Sequence, residues 1–155
     1  MPEEYEHRVA EQKRLIDELS RDVMQHISFV EGDYDVESFI EVSKGLESCP
    51  EGGERCKKCF ALRLSRAAEY ASQNGYDYYT TTLTISPLKN AAILNEIGVL
   101  QGEKYGVSFL PSDFKKRNGY KRSVELSEKY GLYRQNYCGC VYSKQEMERR
   151  NEEIN

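Results

Sequence analysis

Five cysteines are the residues of this sequence with the greatest capacity for chemistry, and four of them form two close pairs. Cys56 and Cys59 are separated by two residues, a spacing that lets both sulfurs bind one metal ion or cluster, or each other. Cys138 and Cys140 are separated only by Gly139, whose backbone freedom permits the tight turn that such a pair needs. Because the pairs lie far apart along the chain, we expect folding to assemble one site from them.

The spacing alone leaves several roles open for these thiols. Two ordinary, part-buried cysteines would also give the first pair. A disulfide across Gly139 would close a small, strained ring of the readily reduced kind. Alternatively, Cys138 and Cys140 complete a metal site together with the first pair. Cys49 fits neither pair, and we interpret it as a bystander.

A run of positive charge follows in residues 115–122, which hold five basic residues and no acidic one. The rest of the chain carries seventeen basic and twenty-six acidic groups. Phosphate contacts dominate nucleic-acid affinity, and exposed aromatic rings stack on unpaired bases. We therefore interpret the run as an RNA-binding patch, with a merely solvated basic face as the alternative. Its proposed contact residues are Lys115, Lys116, Arg117, Tyr120, Lys121 and Arg122.

Composition limits the classes of protein that this chain can represent. The 155 residues are 39% apolar and 31% charged, which suits one globular domain. No apolar run approaches the roughly 20 residues that span a bilayer, so we expect no membrane partner. The start, Met1-Pro2-Glu3-Glu4, predicts no secretory signal, and an odd cysteine count then favours a reducing compartment. We expect a cytoplasmic protein.

Alternating helices and strands are predicted from periodicity, capping residues and turn signals. The predicted helices cover residues 2–24, 35–44, 56–74, 86–100 and 119–130. The predicted strands cover 27–30, 76–83 and 107–110, and 47–55 is expected to be a loop. Such alternation favours an α/β fold with a parallel sheet flanked by helices. We expect a single α/β domain over 1–143 and a polar C-terminal tail over 144–155.

In this architecture, ligands bind beyond the carboxyl ends of the strands. The loop around Asp33, the turn 84–86 and residues 111–113 should then lie at one edge, with Cys56 and Cys59 facing it. Asp113, directly after a strand, is a candidate proton donor or supporting carboxylate, although it could equally cap the next helix.

Five segments, in this order, resemble one family. They are PEGGERCKKCF at 50–60, TTTLTISPLKN at 80–90, LPSDFKK at 110–116, NGYKRS at 118–123 and LYRQNYCGC at 132–140. Together they resemble the cobalamin-independent epoxyqueuosine reductases of the QueH type. The likeness extends from about residue 4 to residue 143.

The resemblance implies an iron–sulfur oxidoreductase that removes the epoxide oxygen of epoxyqueuosine in tRNA, the last step of queuosine biosynthesis. It implies that Cys56 and Cys59 bind a 4Fe-4S cluster and that Cys138 and Cys140 are a redox-active pair, with a direct metal role and an additional metal ion left open. The implied fold is adenine-nucleotide-hydrolase-like (HUP or Rossmann-like). The family's first strands, which carry a Cys-Cys-x-Pro-Cys pattern, are lacking here. The implied partners are tRNA bearing epoxyqueuosine and an unidentified electron donor.

Three hypotheses follow. In the first, the chain reduces an epoxide to an alkene, and Asp113 or a tyrosine protonates the departing oxygen. In the second, both cysteine pairs bind zinc and staple an RNA-binding module without catalysis. In the third, the chain is a metal-free thiol oxidoreductase.

Overall fold

The computed structural model describes residues 2–23 and 26–154, which form an α-rich protein with one small parallel sheet. The helices are α1 (Pro2–Asp22), α2 (Val36–Ser43), α3 (Glu54–Gln73), α4 (Ala91–Tyr105), α5 (Gly119–Lys129) and α6 (Val141–Ile154). The strands are β1 (Tyr78–Tyr79) and β2 (Ser108–Phe109). This arrangement is compatible with the predicted α/β class. No described helix is both long and apolar enough to cross a membrane.

The chain divides into two compact units. The first unit contains Met1–Asp35 and Glu125–Asn155, and the second contains Val36–Val124. The single domain over 1–143 stays a prediction. Residues 144–154, the described part of the predicted polar tail, are helical and belong to α6. Ion pairs one helical turn apart, such as Lys144 with Glu148 at 3.7 Å, support this exposed helix.

The core of the second unit lies between α3, α4 and the sheet. β1 and β2 run parallel, with Tyr78 opposite Ser108 and Tyr79 opposite Phe109, as the alternation of elements predicts. The buried apolar side chains of this core are Phe60, Leu64, Ala68, Ala71, Tyr79, Leu94, Val107 and Phe109. The sheet and its core therefore bring together the loops that follow each strand.

The predicted strand over 76–83 is shortened because threonine hydroxyls at its end and just beyond it form hydrogen bonds outside a strand ladder. The Thr81 hydroxyl accepts the N–H of Leu83 at 3.2 Å and caps a 3₁₀ turn, Thr82–Ile85. The buried Thr84 hydroxyl lies 3.2 Å from the Ser112 hydroxyl. Threonine hydroxyls that find such partners compete with a strand ladder.

The helix predicted from residue 86 begins later, because Asn90 rather than Ser86 is its N-cap. The Asn90 side chain accepts the backbone N–H groups of Ala92 and Ile93 at 2.9 and 3.2 Å. Ser86 instead starts a turn in which the N–H of Lys89 donates to the Ser86 carbonyl at 3.2 Å. Asparagine and serine are about equally good caps, so sequence alone did not separate them.

In the first unit, two extended segments contact α1 mainly through polar groups. The strand predicted over 27–30 is wrong, since those residues form no ladder with any described strand. Residues 26–35 instead run alongside α1. There the Lys13 ammonium lies 3.0 Å from the Glu31 carboxylate and 5.3 Å from the centroid of the Phe29 ring. The second extended segment, which begins after Tyr130, contacts α1 through Arg14, whose guanidinium donates to the carbonyl of Tyr130 at 2.9 Å. None of the described residues of α1 is fully buried.

We predict that Gly98→Ala destabilises the protein. A Cβ at Gly98 would lie 2.5 Å from atoms of the buried Phe109 ring. Overpacking of this kind costs about 1–3 kcal/mol, which outweighs the gain of about 1 kcal/mol in helix propensity. Urea unfolding should show a net loss of about 1 kcal/mol, with an upper limit of about 2 kcal/mol. The control is Gly32→Ala, whose Cβ would meet nothing within 4 Å; a Gly98→Ala protein at least as stable as this control would contradict the packing.

Candidate functional site

The first cysteine pair lies in the opening turns of α3, whose N-cap is Gly53. Both Cys56 and Cys59 are half-buried thiols. The backbone N–H of Gly52 donates to the Cys56 sulfur at 3.2 Å. A helix start favours negative charge, so this position suits a metal-binding or nucleophilic sulfur.

The loop before α3 is fixed by the buried guanidinium of Arg55, which is 2% exposed. One of its nitrogens, Nη1, donates to the carbonyls of Leu46 at 3.3 Å, Glu47 at 2.8 Å and Cys49. In the sequence, Arg55 is marked only by its position directly before Cys56, as a positive charge near the thiols. A buried cation with several carbonyl acceptors instead determines how the chain enters the helix that carries them.

A second buried cation joins two of the sequence motifs. The Lys89 ammonium lies 2.7 Å from the Glu51 carboxylate, and their side chains are 6% and 18% exposed. Lys89 also lies 5.9 Å from the centroid of the Phe60 ring. Segments 50–60 and 80–90 are therefore in contact in this unit, with an ion pair that sequence analysis did not single out. The sequence showed only that one motif contains a glutamate and the other a lysine, which does not predict that the two form an ion pair.

The turn 84–86 and residues 111–113 lie at the same edge, as predicted. Thr84 contacts Ser112, and its hydroxyl also accepts the N–H of Phe114 at 3.3 Å. Asn95 of α4 bonds both the N–H and the carbonyl of Ser112, each at 3.0 Å. Asp33 belongs to the other unit, so its place at this edge stays a prediction.

Lys115 connects this edge to the motif at 80–90. Its ammonium donates to the carbonyls of Thr84 at 3.3 Å and Lys89 at 3.2 Å and lies 3.0 Å from Asp113 Oδ1. Residues 87–92 line a shallow groove of about 510 Å³ together with Asp113 and Lys115. Lys115, expected to contact RNA, is engaged within the protein.

The environment of Asp113 favours its ionised form. The hydrogen bond from Lys115, aided by the charges of Lys115 and Lys116, holds the pKa of Asp113 below its ordinary value despite some desolvation. The carboxylate therefore carries a negative charge at neutral pH and orients the lysine. Its role as a proton donor stays a prediction.

The rest of the basic run is exposed around a tight turn before α5. Arg117 and Asn118 both adopt left-handed backbone, with φ of 50° and 62°. A Cβ at Gly119 would lie 1.7 Å from the Phe114 carbonyl oxygen, so only glycine fits there. This turn leaves five of the proposed contact residues exposed, namely Lys116, Arg117, Tyr120, Lys121 and Arg122.

The second cysteine pair lies in a turn that opens α6, and Ser143 bridges its two members. The N–H of Cys138 donates to the Ser143 hydroxyl at 2.9 Å, and the N–H of Ser143 donates to the Cys140 sulfur at 3.4 Å. Ser143 is 4% exposed. Gly139 has a φ of 99°, as the tight spacing of the pair requires. Ser143 could not be predicted from the sequence, because no pattern marks a serine that binds two cysteines.

The cysteines supply thiolates that suit iron or zinc, and each close pair supplies two of them. A 4Fe-4S cluster is commonly held by four cysteine thiolates. Among the described residues of either unit, no three Cys, His, Asp or Glu side chains gather into a metal-binding group. Thiolates are the usual ligands of such a cluster, and each cysteine pair offers half of the usual number. The assembly of both pairs into one site stays a prediction.

Comparisons with known proteins agree on one family. The model of the family described as epoxyqueuosine reductase QueH matches residues 1–146. An epoxyqueuosine reductase QueH of Streptococcus pyogenes is 43% identical over 141 residues, which cover 91% of this chain and 55% of that protein. The protein of that name from Staphylococcus epidermidis is 40% identical, with coverages of 90% and 60%. The Thermotoga maritima protein is 35% identical, with coverages of 97% and 77%. The chain thus spans little more than half the length of the first two relatives.

We predict that Glu51→Gln destabilises the protein because it deprives the buried Lys89 ammonium of its carboxylate. Breaking a fully buried pair costs about 3–5 kcal/mol, and the partial exposure of Glu51 reduces the expected loss to about 2–3 kcal/mol. Glu54→Gln is the matched control, since Glu54 pairs with Lys57 at the surface and should cost less than about 1 kcal/mol. Urea unfolding measures both, and equal losses would contradict the role of the buried pair.

We predict that Ser143→Ala loosens the turn that holds the second cysteine pair. The substitution removes the acceptor of the Cys138 N–H, and an ordinary hydrogen bond contributes about 1 kcal/mol. Amide hydrogen exchange at Cys138 should accelerate by about fivefold or more. Ser20→Ala, at an exposed site on α1, serves as the control and should leave this exchange unchanged. Unaltered protection of the Cys138 amide in Ser143→Ala would contradict the bridge.

Proposed function

Because the chain belongs to the QueH family of epoxyqueuosine reductases, we propose that it takes part in the reductive removal of the epoxide oxygen of epoxyqueuosine in tRNA. The observation that carries this proposal is the meeting of three of the sequence motifs in the second unit. Segments 50–60, 80–90 and 110–116 are joined there by the contacts of Lys89 and Lys115. A groove lies beside these contacts, next to the predicted ligand-binding edge.

The reaction consumes two electrons and two protons for each epoxide. Both carbon–oxygen bonds break, a carbon–carbon double bond forms, and the oxygen leaves as water. Oxidation of one dithiol to a disulfide releases the same two electrons and two protons. We assign this role to Cys138 and Cys140, which would be restored by an external electron donor. Their thiol state and their shared contact with Ser143 support the assignment.

The first pair is proposed as part of the ligand set of a 4Fe-4S cluster. Cys56 and Cys59 would supply two thiolates from the start of α3. The bound cluster would supply electron-transfer chemistry at low potential. The N–H of Gly52 supports this role, since hydrogen bonds to the sulfurs tune such potentials and orient the ligands.

The proposed tRNA contact is the exposed part of the basic run. Lys116, Arg117, Lys121 and Arg122 would bind phosphates, and the half-exposed ring of Tyr120 would stack on an unpaired base. Lys115 would hold this segment against the motif at 80–90 rather than contact phosphate. Substitution of the exposed basic residues should therefore weaken tRNA binding, whereas substitution of Lys115 should disturb the packing of residues 110–116 against the motif at 80–90.

We predict that the chain, supplied anaerobically with iron, sulfide and dithionite as reductant, converts epoxyqueuosine to queuosine in tRNA. Liquid chromatography and mass spectrometry of the digested nucleosides measure the conversion. Cys56→Ser and Cys138→Ser should each lower the rate by about a hundredfold or more, because general positioning survives but a ligand or redox group is lost. Cys49→Ser is the matched control and should retain the rate.

Two results would contradict this proposal. The first is an iron-loaded, folded chain that binds the tRNA but leaves the epoxide intact. The second is equal activity in Cys138→Ser, Cys56→Ser and Cys49→Ser, which would place the chemistry on other residues. Loss of tRNA binding alone, after substitution of the outer basic residues, would support the proposed contact.

A further inference from the structure

The turn of the second cysteine pair has a cationic neighbour that the proposed function does not use. Arg8 of α1 donates from Nη1 to the Cys138 carbonyl at 3.4 Å. Its Nε donates to Glu4, one helical turn earlier, at 2.7 Å. The guanidinium is therefore held at one end by its own helix and reaches the cysteine turn at the other.

Gly139 and Arg8 are in close contact. A Cβ built on Gly139 would lie 2.6 Å from Nη1, 2.9 Å from Nη2 and 3.0 Å from Cζ of Arg8. The guanidinium thus occupies the space beside the residue that separates the two cysteines. Absence of a side chain at Gly139 serves both the positive φ of the turn and the approach of Arg8.

The hydrogen bonds of Arg8 are incomplete for a group so enclosed. Its Nη2 is shielded from solvent and has no hydrogen-bond partner among the described residues. An enclosed donor without an acceptor costs about 1–3 kcal/mol, so this arrangement weakens the fold unless it serves another purpose. The contacts of this guanidinium with the Cys138 carbonyl and Gly139 are the feature that could account for the cost.

Glu4 anchors the arginine and is itself well supported. Burial raises the pKa of Glu4, but the hydrogen bond and charge of Arg8, with hydrogen bonds from Tyr137 and Tyr133, bring it below its ordinary value. The carboxylate is therefore charged at neutral pH and holds the guanidinium in place. Two tyrosines from the segment 132–140 thereby join the same network.

We propose that Arg8 is a positioning residue that holds the Cys138-Gly139-Cys140 turn in its dithiol conformation. Cys138 and Cys140 are not joined by a disulfide here, so the contacts of Arg8 are those of the reduced pair. A disulfide of about 2.05 Å across a single residue closes a small, strained ring, and we expect the backbone of Gly139, beside the guanidinium, to change with it. Contacts made in one state only shift the equilibrium toward that state, so Arg8 favours the dithiol. This inference rests on the proposed redox function of the pair.

The equilibrium between the two states is measured by exchange with glutathione. The dithiol of Cys138 and Cys140 reacts with one glutathione disulfide to give the protein disulfide and two glutathione thiols. The sulfur–sulfur bond of glutathione breaks, that of the protein forms, and both thiol protons pass to glutathione. After alkylation and tryptic digestion, the fragment 135–144 contains both cysteines, and its mass reports their state.

The experiment compares Arg8→Met with Arg14→Met in the full chain under anaerobic conditions. Arg14 is the matched control, because it lies on the same helix and bonds two carbonyls of another loop, at Tyr130 and Gly131. Arg8→Met should move the equilibrium toward the disulfide by about three- to tenfold, the ratio that accompanies loss of one ordinary hydrogen bond. Arg8→Lys should recover part of the shift, and Arg14→Met should change it by less than about twofold.

A second variant keeps the test decisive if Arg8→Met does not fold, as judged by circular dichroism. Glu4→Gln retains Arg8 but weakens its anchor, so it should shift the equilibrium in the same direction by a smaller factor. An unchanged equilibrium in a folded Arg8→Met protein, or in Glu4→Gln where Arg8→Met fails to fold, would overturn the inference. Equal shifts in Arg8→Met and Arg14→Met would also overturn it.

The result for the unsubstituted chain separates this inference from the proposed function. If Cys138 and Cys140 form no disulfide at any glutathione ratio, the redox function of the pair and the role of Arg8 are both wrong. If they exchange normally but do not respond to Arg8→Met, only the role of Arg8 is wrong.

Discussion

The buried guanidinium of Arg55 is the constraint on which the geometry of the second unit depends. A cation removed from water must find acceptors within the protein, and Arg55 finds them on the carbonyls of the loop that precedes α3. That requirement fixes the path of residues 46–52, delivers the N–H of Gly52 to the Cys56 sulfur, and places the N-cap of the helix. The ion pair of Lys89 with Glu51 then secures the same loop to the motif at 80–90. Polar contacts, rather than apolar packing alone, therefore position the first cysteine pair.

In each cysteine pair, one sulfur accepts a backbone N–H near the start of a helix, but the arrangements differ. Cys56 lies inside α3 and accepts from Gly52 in the preceding loop, whereas Cys140 lies just before α6 and accepts from Ser143 inside it. The first N–H groups of a helix have no partner within the helix, so the Cys140 sulfur satisfies one of them in α6. The two pairs differ in what surrounds them. The first adjoins the apolar core of its unit, whereas the second adjoins Arg8 and a network of tyrosines and carboxylates.

Sequence predicted the elements that local signals specify and missed those that depend on distant partners. The bounds of α1, α3 and α5 lie within about two residues of those predicted from periodicity, capping residues and turn signals. The end of the strand predicted over 76–83 folds as a turn instead. The Thr81 hydroxyl caps this turn, and the hydroxyl of Thr84, just after it, bonds Ser112 and Phe114 of a distant loop. A periodic pattern carries no information about such partners.

The same limit applies to the candidate site. The cysteine spacing identified the thiols, but Glu51 and Lys89 are 38 residues apart, and Arg8 and Cys138 are 130 residues apart. Neither pairing has a local signature. The basic run was correctly identified as exposed except at Lys115, whose neighbours on the loop at 84–89 supply its acceptors. Resemblance to a family marked these segments as important, and the contacts explain in physical terms what several of their residues do.

Metal content is the direct test of the proposal that the first cysteine pair binds iron. The chain is purified anaerobically after reconstitution with iron and sulfide in the presence of competing zinc, alongside Cys59→Ser and Cys49→Ser. We expect a brown protein with broad visible absorption and bound iron, lost in Cys59→Ser and retained in Cys49→Ser. A colourless protein with zinc and no iron, or equal iron in both variants, would contradict it.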